Sequence, residues 1–277
     1  MILPVTGHPK HLVIVGGGPA GITCALTASR RGHQVTLLEK EPVLTGKLNI
    51  ACHGEHKADL RRFRDYLLTQ LRKSSVTVHT GVLADTDVVR DLKPDALVIA
   101  VGATPSRIPL PGVDGDNCIQ ISEFLQSPDT SLQHYIIIGG GSVGCETALD
   151  LAEKGKDVSI IEMADCLASA SNDLYRLALS EHFARYDNLH TYLNSACQSI
   201  DADGVNVLTN GASTHISGDK VLLSLGFRPD AKQVSSLYGI VPDTYYVGDC
   251  ERVATVAEAV NNAYFIGANV FQEQDII

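Results

Sequence analysis

At 277 residues and roughly 150 per domain, the chain is long enough for two domains with little left over. Its 22 basic and 32 acidic side chains give a net charge of −10, which excludes nucleic acid or an anionic membrane as the main partner, because both require clustered Lys and Arg. With 44 % hydrophobic and 19 % charged residues, it is too apolar for a disordered chain and large enough to bury a proper core. No uninterrupted apolar run of ~18 residues occurs, so no membrane-spanning helix is expected. Residues 1–8 lack the basic stretch that opens a signal peptide. Seven cysteines without a CxxC pair argue against a secreted disulfide framework, a zinc site or a dithiol, and reduced thiols in a cytoplasmic protein are expected.

In chain order, Leu12–Val15 is a short β-branched run suited to a strand buried on both faces. A helix is predicted near 19–31, closed by Gly32 in the left-handed conformation, and a second strand over 34–39. Leu60 to Arg72 has helical spacing with a basic face, read as a solvated surface. Asp95–Gly102 is a buried-type strand ending at glycine, and the proline-rich 104–112 segment reads as a connection between domains. A second strand–helix–strand set follows over 136–138, 142–154 and 157–162. Residues 163–219 hold several shorter strands and turns whose order the sequence leaves open. Lys220–Gly226 is again strand-like and ends at glycine.

The two strand–helix–strand sets are copies of one unit. Gly16, Gly18 and Gly21 recur as Gly139, Gly141 and Gly144, an offset of 139 − 16 = 123. Gly32 matches Gly155, and Glu39 matches Glu162, at the same offset. Each copy therefore places GxGxxG between a strand and a helix, with an acid at the end of the next strand. The first glycine allows the tight turn, the second lets backbone approach a pyrophosphate, and the third permits close helix–strand packing. Free N–H groups at the helix start favour a diphosphate there. Glu39 and Glu162 lie 39 − 21 = 18 and 162 − 144 = 18 residues beyond their last glycines, placed to accept from ribose hydroxyls. A carboxylate favours a 2′-hydroxyl, and the residues after Glu162 (Met163, Ala164, Asp165) carry no cation for a 2′-phosphate, so NADH is expected over NADPH.

Near the C-terminus, Tyr245–Cys250 reads as a strand running into Gly248 and Asp249. Thr255 with Glu258 forms a capping box that starts a helix. That helix start could face the pyrimidine end of a flavin, with Asp249 accepting from ribityl hydroxyls.

These residues together resemble the pyridine nucleotide–disulfide oxidoreductase superfamily, over about residues 11–271. The marks are Gly16–Gly21 with Glu39, Ala100–Pro105, Gly139–Gly144 with Glu162, Leu225–Pro229 and Val247–Asp249. More narrowly, Gly46–Ala51 and Thr255–Val260 resemble the C-terminal reductase module of 2,4-dienoyl-CoA reductase and related old-yellow-enzyme fusion proteins. The resemblance implies an α/β fold of two Rossmann-like three-layer dinucleotide-binding domains, the second inserted in the first. Residues 1–104 and 226–277 would bind FAD, and residues 105–225 would bind NAD(H). Gly16, Gly18, Pro19, Ala20, Gly21, Glu39, Lys40, Gly46, Lys47, Leu48, Gly102, Gly226, Gly248, Asp249, Thr255 and Val256 are the cofactor-binding residues implied on the FAD side. Gly139, Gly141, Ser142, Val143, Gly144 and Glu162 are those implied for the nicotinamide nucleotide.

The departures from the superfamily matter too. No paired redox cysteines are present; Cys52 stands alone near the expected flavin face, and its plainer reading is an ordinary buried thiol. Thr45–Gly46 replaces the more usual Gly-Gly. His53 and His56, on a loop with Glu55, lack a further ligand in sequence reach, so no metal site is expected. The leading expectation is an FAD-dependent NADH oxidoreductase that passes hydride from nicotinamide C4 to flavin N5 without needing a side-chain acid or base. Electrons would then go to an external acceptor or a partner subunit, because two nucleotide sites nearly exhaust the chain. The alternatives are an adenine-nucleotide-binding structural or regulatory subunit without a working flavin, and a Cys52-based peroxide or oxygen reductase.

Overall fold

A computed structural model describes residues 3–54 and 57–271. The chain divides into two compact units, residues 1–104 with 227–277 and residues 105–226. The return crossing falls one residue beyond the position expected from sequence, so Gly226 closes the second unit. Short strands flank the two crossings, β5 (Ala103–Pro105) and β14 (Phe227–Pro229).

The first unit is built on a five-stranded parallel sheet. Its strands are β1 (His11–Val15), β2 (Gln34–Glu39), β3 (Thr77–Thr80), β4 (Ala96–Ile99) and β15 (Thr244–Tyr246), in the spatial order β15-β4-β1-β2-β3. Leu12 to Val15 are 0–3 % exposed, as a strand covered on both faces requires. One face carries α1 (Pro19–Arg30), α3 (Ala58–Arg72) and α9 (Val256–Asn269) over a core that includes Leu12, Ile14, Val35, Leu37 and Val98. The other face packs Val13, Val15, Leu38, Leu97 and Ile99 against Val89 of α4 (Thr86–Asp91), Leu237 of α8 (Ala231–Leu237) and Cys250. The short α2 (Leu48–Ala51) follows the loop after β2.

In the second unit the parallel sheet has the order β6-β13-β7-β8-β9. These strands are β6 (Cys118–Gln120), β7 (His134–Ile138), β8 (Asp157–Ile161), β9 (Leu189–Tyr192) and β13 (Lys220–Leu223). On one face α5 (Ile121–Gln126) and α6 (Ser142–Glu153) cover Tyr135, Ile137, Val158, Ile160 and Leu222, and α7 (Asp173–Phe183) packs beside α6. The opposite face is covered by strands rather than helices. An antiparallel meander of β10 (Ser195–Asp201), β11 (Gly204–Thr209) and β12 (Ala212–Ser217) sets Ile200, Val205, Val207 and Ile216 against Ile136, Ile138 and Ile161.

The region from 163 to 219, left open by sequence, is thus α7, β9 and the meander. Its strands are harder to read because they are half-solvated: β12 shows only Ile216 buried among six residues. Among the described residues, no helix is long and apolar enough to cross a membrane.

Candidate nucleotide sites

One glycine loop follows β1 and opens α1, the other follows β7 and opens α6, and their geometries repeat closely. Gly16 (φ +115°) and Gly139 (φ +106°) hold backbone angles that L side chains rarely adopt, and a Cβ on either would strike a carbonyl, that of Ala100 or of Ser224. Gly21 and Gly144 bring their helices down onto the carbonyls of Gly16 and Gly139, leaving no room for a side chain. Gly18 and Gly141 differ in kind: a Cβ there would meet nothing within 4 Å. They are the N-caps of α1 and α6, and no side chain caps either helix. In contrast, α4, α7, α8 and α9 are capped by Asp85, Asn172, Asp230 and Thr255. Helix starts with unused N–H groups and open space above a glycine suit a bound anion, and the residues present fit a nucleotide diphosphate.

The two glutamates also match. Gly17 N–H donates to Glu39 Oε2 at 2.6 Å, and Glu41 N–H donates to Oε1 at 2.8 Å. Gly140 N–H donates to Glu162 Oε2 at 2.6 Å, and Ala164 N–H to Oε1 at 2.8 Å. Each carboxylate therefore ties its glycine loop to the turn after the second strand. A carboxylate has about four acceptor positions, so two remain on each for ribose hydroxyls.

A further correspondence was missed by the sequence reading. The duplication continues past the glutamates: Leu44 and Thr45 correspond to Leu167 and Ala168 at the same offset, 167 − 44 = 123. Thr45 (φ 75°) and Ala168 (φ 48°) both take left-handed backbone, and their N–H groups donate to the carbonyls of Gly17 and Gly140 at 2.7 and 2.8 Å. The Leu44 and Leu167 side chains close over those middle glycines, where a Cβ would lie 2.5 Å from each leucine Cδ2. The matched leucines were the available signal. Thr45 is fully buried, and its hydroxyl donates to Asn49 Oδ1 at 2.8 Å, which holds a β-branched residue in a conformation that ordinarily costs about 1–3 kcal/mol.

In the first unit the loop after β2 meets the Gly248 turn. Lys47 Nζ lies 2.5 Å from Asp249 Oδ2 and 4.1 Å from the centroid of the Phe227 ring. Asp249 Oδ1 accepts from Ala254 N–H at 3.3 Å. Asp249 was expected from sequence to face ribityl hydroxyls; here a cation from α2's start engages it. Gly46 lies beside the first glycine loop, its Cβ position 3.6 Å from Gly18 Cα. Gly248 (φ +73°) packs against Ala20, and Leu48 is buried. Pro19 stands at the first turn of α1, and Lys40 is exposed beyond Glu39. Thr255 and Glu258 form the reciprocal capping box on α9, leaving Val256 in its first turn. In the second unit Ser142 Oγ lies 2.9 Å from Ser171 Oγ, and Val143 is exposed. Gly102 and Gly226 both hold left-handed backbone at the ends of their connecting strands.

All seven cysteines are free thiols. Burial pushes the Cys52 thiol up from its ordinary value, outweighing the opposing pull of Arg64 and Arg61, so the thiolate a peroxide-reducing cysteine needs is disfavoured. Cys24 and Cys145 are fully buried, and burial raises both to about 12. Of the suspected loop residues, Glu55 and His56 lie outside the described residues.

A pair of parallel-sheet units, each carrying a glycine turn between strand and helix and an acid at the end of the strand that follows, defines a protein of two Rossmann-like folds. The chain belongs to the pyridine nucleotide-disulphide oxidoreductase family, whose model matches residues 10–264. It is 34 % identical over 263 residues to an NADH oxidase of Thermoanaerobacter brockii, covering 92 % of this chain and 40 % of that protein. A bilirubin reductase of Mediterraneibacter gnavus is 33 % identical, over 94 % of this chain and 41 % of its own. A solved 2-naphthoyl-CoA reductase in complex with 2-naphthoyl-CoA superimposes with a TM-score of 0.90 at 28 % identity, over 98 % of this chain and 41 % of that one. The chain thus spans about two fifths of the length of these relatives.

Proposed function

We propose that the chain is an FAD-dependent NADH oxidoreductase module, with FAD held by residues 1–104 and 227–277 and NADH by residues 105–226. The observation that carries this reading is the duplicated constellation of open glycine, uncapped helix start and loop-tying glutamate, present once in each unit. Family membership and the similarity to an NADH oxidase support it. When bound, FAD supplies the two-electron acceptor for hydride from NADH.

The chain's own residues bind and orient. Gly16, Gly18 and Gly21, with the N–H groups of Ala20 and Gly21, hold the FAD diphosphate, and Glu39 accepts from its adenosine ribose. Asp249 faces the ribityl chain, and the start of α9 at Thr255 and Val256 offers its dipole to the flavin's pyrimidine edge. Gly139, Gly141, Ser142, Val143, Gly144 and Glu162 do the corresponding work for NADH. Glu162 and the absence of a basic residue at 163–165 favour a free 2′-hydroxyl and hence NADH over NADPH. Electrons leave to an external acceptor or a partner, without a redox disulfide.

The test is reconstitution of purified protein with FAD, followed by anaerobic NADH addition. Stoichiometric FAD and loss of the flavin's visible absorbance on adding NADH are expected. Retention of adenine nucleotide without flavin would replace this reading with that of a nucleotide-binding structural subunit.

A further inference from the structure

The second unit carries a cluster of metal-ligating groups away from its glycine loop. Asp201 ends β10, Asp203 stands in the turn into β11, and His215 lies on β12. One ligand atom from each lies within 4.8 Å of the others. His215 Nε2 is 3.2 Å from Asp201 Oδ1 and 3.8 Å from Asp203 Oδ1. Bonds of about 2.0–2.2 Å to a tetrahedral divalent ion set neighbouring ligand atoms about 3.4 Å apart, a spacing that these two separations bracket.

The local fold makes this convergence. The antiparallel register pairs Asp201 with Gly204 and Asn206 with His215, and Gly204 puts no side chain between them. Asn206 Nδ2 donates to the second oxygen of Asp201 at 3.0 Å and to Ser199 Oγ at 3.0 Å, an outer hydrogen bond of the kind that orients a metal-binding carboxylate.

His215 also lines a recess of about 300 Å³ with His134, Asp157 and His190. Asp157 reaches His190 at 3.1 Å and His134 at 3.7 Å. The residues lining it include no Lys or Arg, so carboxylates and imidazoles together present a face suited to a cation. His134 and Asp157 are the first residues of β7 and β8, whereas Gly139 and Glu162 follow the last residues of the same strands. The cluster therefore sits at the end of the sheet opposite the nucleotide loop.

We infer that Asp201, Asp203 and His215 form a binding site for a divalent transition-metal ion, distinct from the nucleotide sites. One imidazole nitrogen with two carboxylates suits Zn2+ or its first-row neighbours over Mg2+, which prefers an all-oxygen shell. The three side chains are 35, 39 and 83 % exposed for His215, Asp201 and Asp203, so water completes the coordination.

Calorimetric titration of the full chain with Zn2+ tests this. One saturable Zn2+ per chain in the micromolar range is expected, with Mg2+ giving no saturable heat. His215→Ala and Asp203→Asn should each weaken Zn2+ binding at least tenfold while leaving the circular dichroism spectrum and thermal midpoint unchanged. Asp203 is the most exposed of the three, so its replacement separates ligand loss from misfolding. His190→Ala should leave binding within twofold. No saturable Zn2+, undiminished binding in His215→Ala, or equal loss in His190→Ala would each overturn the assignment.

Discussion

At the residue scale, Glu39 and Glu162 each tie a glycine loop to the turn beyond the next strand, and the proposed function gives each a second task, accepting from a ribose hydroxyl. The sequence spacing that suggests this second task places an acid at the end of the second strand of a βαβ unit, within reach of a nucleotide. The backbone bonds to Gly17 and Gly140 were not legible, since they depend on two turns meeting in space. Replacing Glu162 by Gln removes a charge-assisted interaction worth about 1.5–3 kcal/mol, so the KM for NADH should rise roughly ten- to hundredfold. The NADPH/NADH efficiency ratio should rise with it. Steady-state kinetics on the purified variant check both. Cys52 belongs to the same scale. Burial raises its thiol away from the reactive form, so Cys52→Ser should retain turnover with an artificial acceptor within about twofold; a large loss would restore a thiol-based mechanism.

At the scale of elements, the glycine loops and their helices were legible because Gly16, Gly21, Gly139 and Gly144 each have a steric reason to be there, whereas Gly18 and Gly141 leave open space. Gly21 packs α1 onto the Gly16 carbonyl, so Gly21→Ala should destabilise by about 1–3 kcal/mol through overpacking, beyond any gain in helix propensity. Denaturant unfolding measures this, and weakened FAD binding should accompany it. The start of α9 was equally readable from Thr255 and Glu258. Bonds from the Thr255 backbone and hydroxyl, helped by Arg252, hold the Glu258 carboxyl below its ordinary range. A carboxyl depressed on folding contributes stability above its unfolded pKa and loses it as pH falls through the folded value. Wild type should therefore melt above Glu258→Gln near neutral pH, and the gap should close on acidification past the carboxylate range. The loop after β2 was singled out at Thr45–Gly46, but its match with the loop after β8 was not, because Thr45 and Ala168 share a conformation rather than a residue type.

At the scale of the whole molecule, both parallel sheets were legible from continuous apolar runs such as Leu12–Val15 and Val221–Leu223, whose faces are all buried. The meander over residues 195–217 was not, because one face of it meets water and its pairing is fixed by register rather than composition. The proposed function requires the two nucleotide sites, alike in design, to serve a single electron path. Anaerobic titration of the FAD-reconstituted chain with NADH, followed by visible absorbance, tests it most directly. One equivalent of NADH should bleach one equivalent of flavin, with NADPH much slower. A protein that takes up no FAD, or whose bound flavin NADH leaves oxidised, would contradict it.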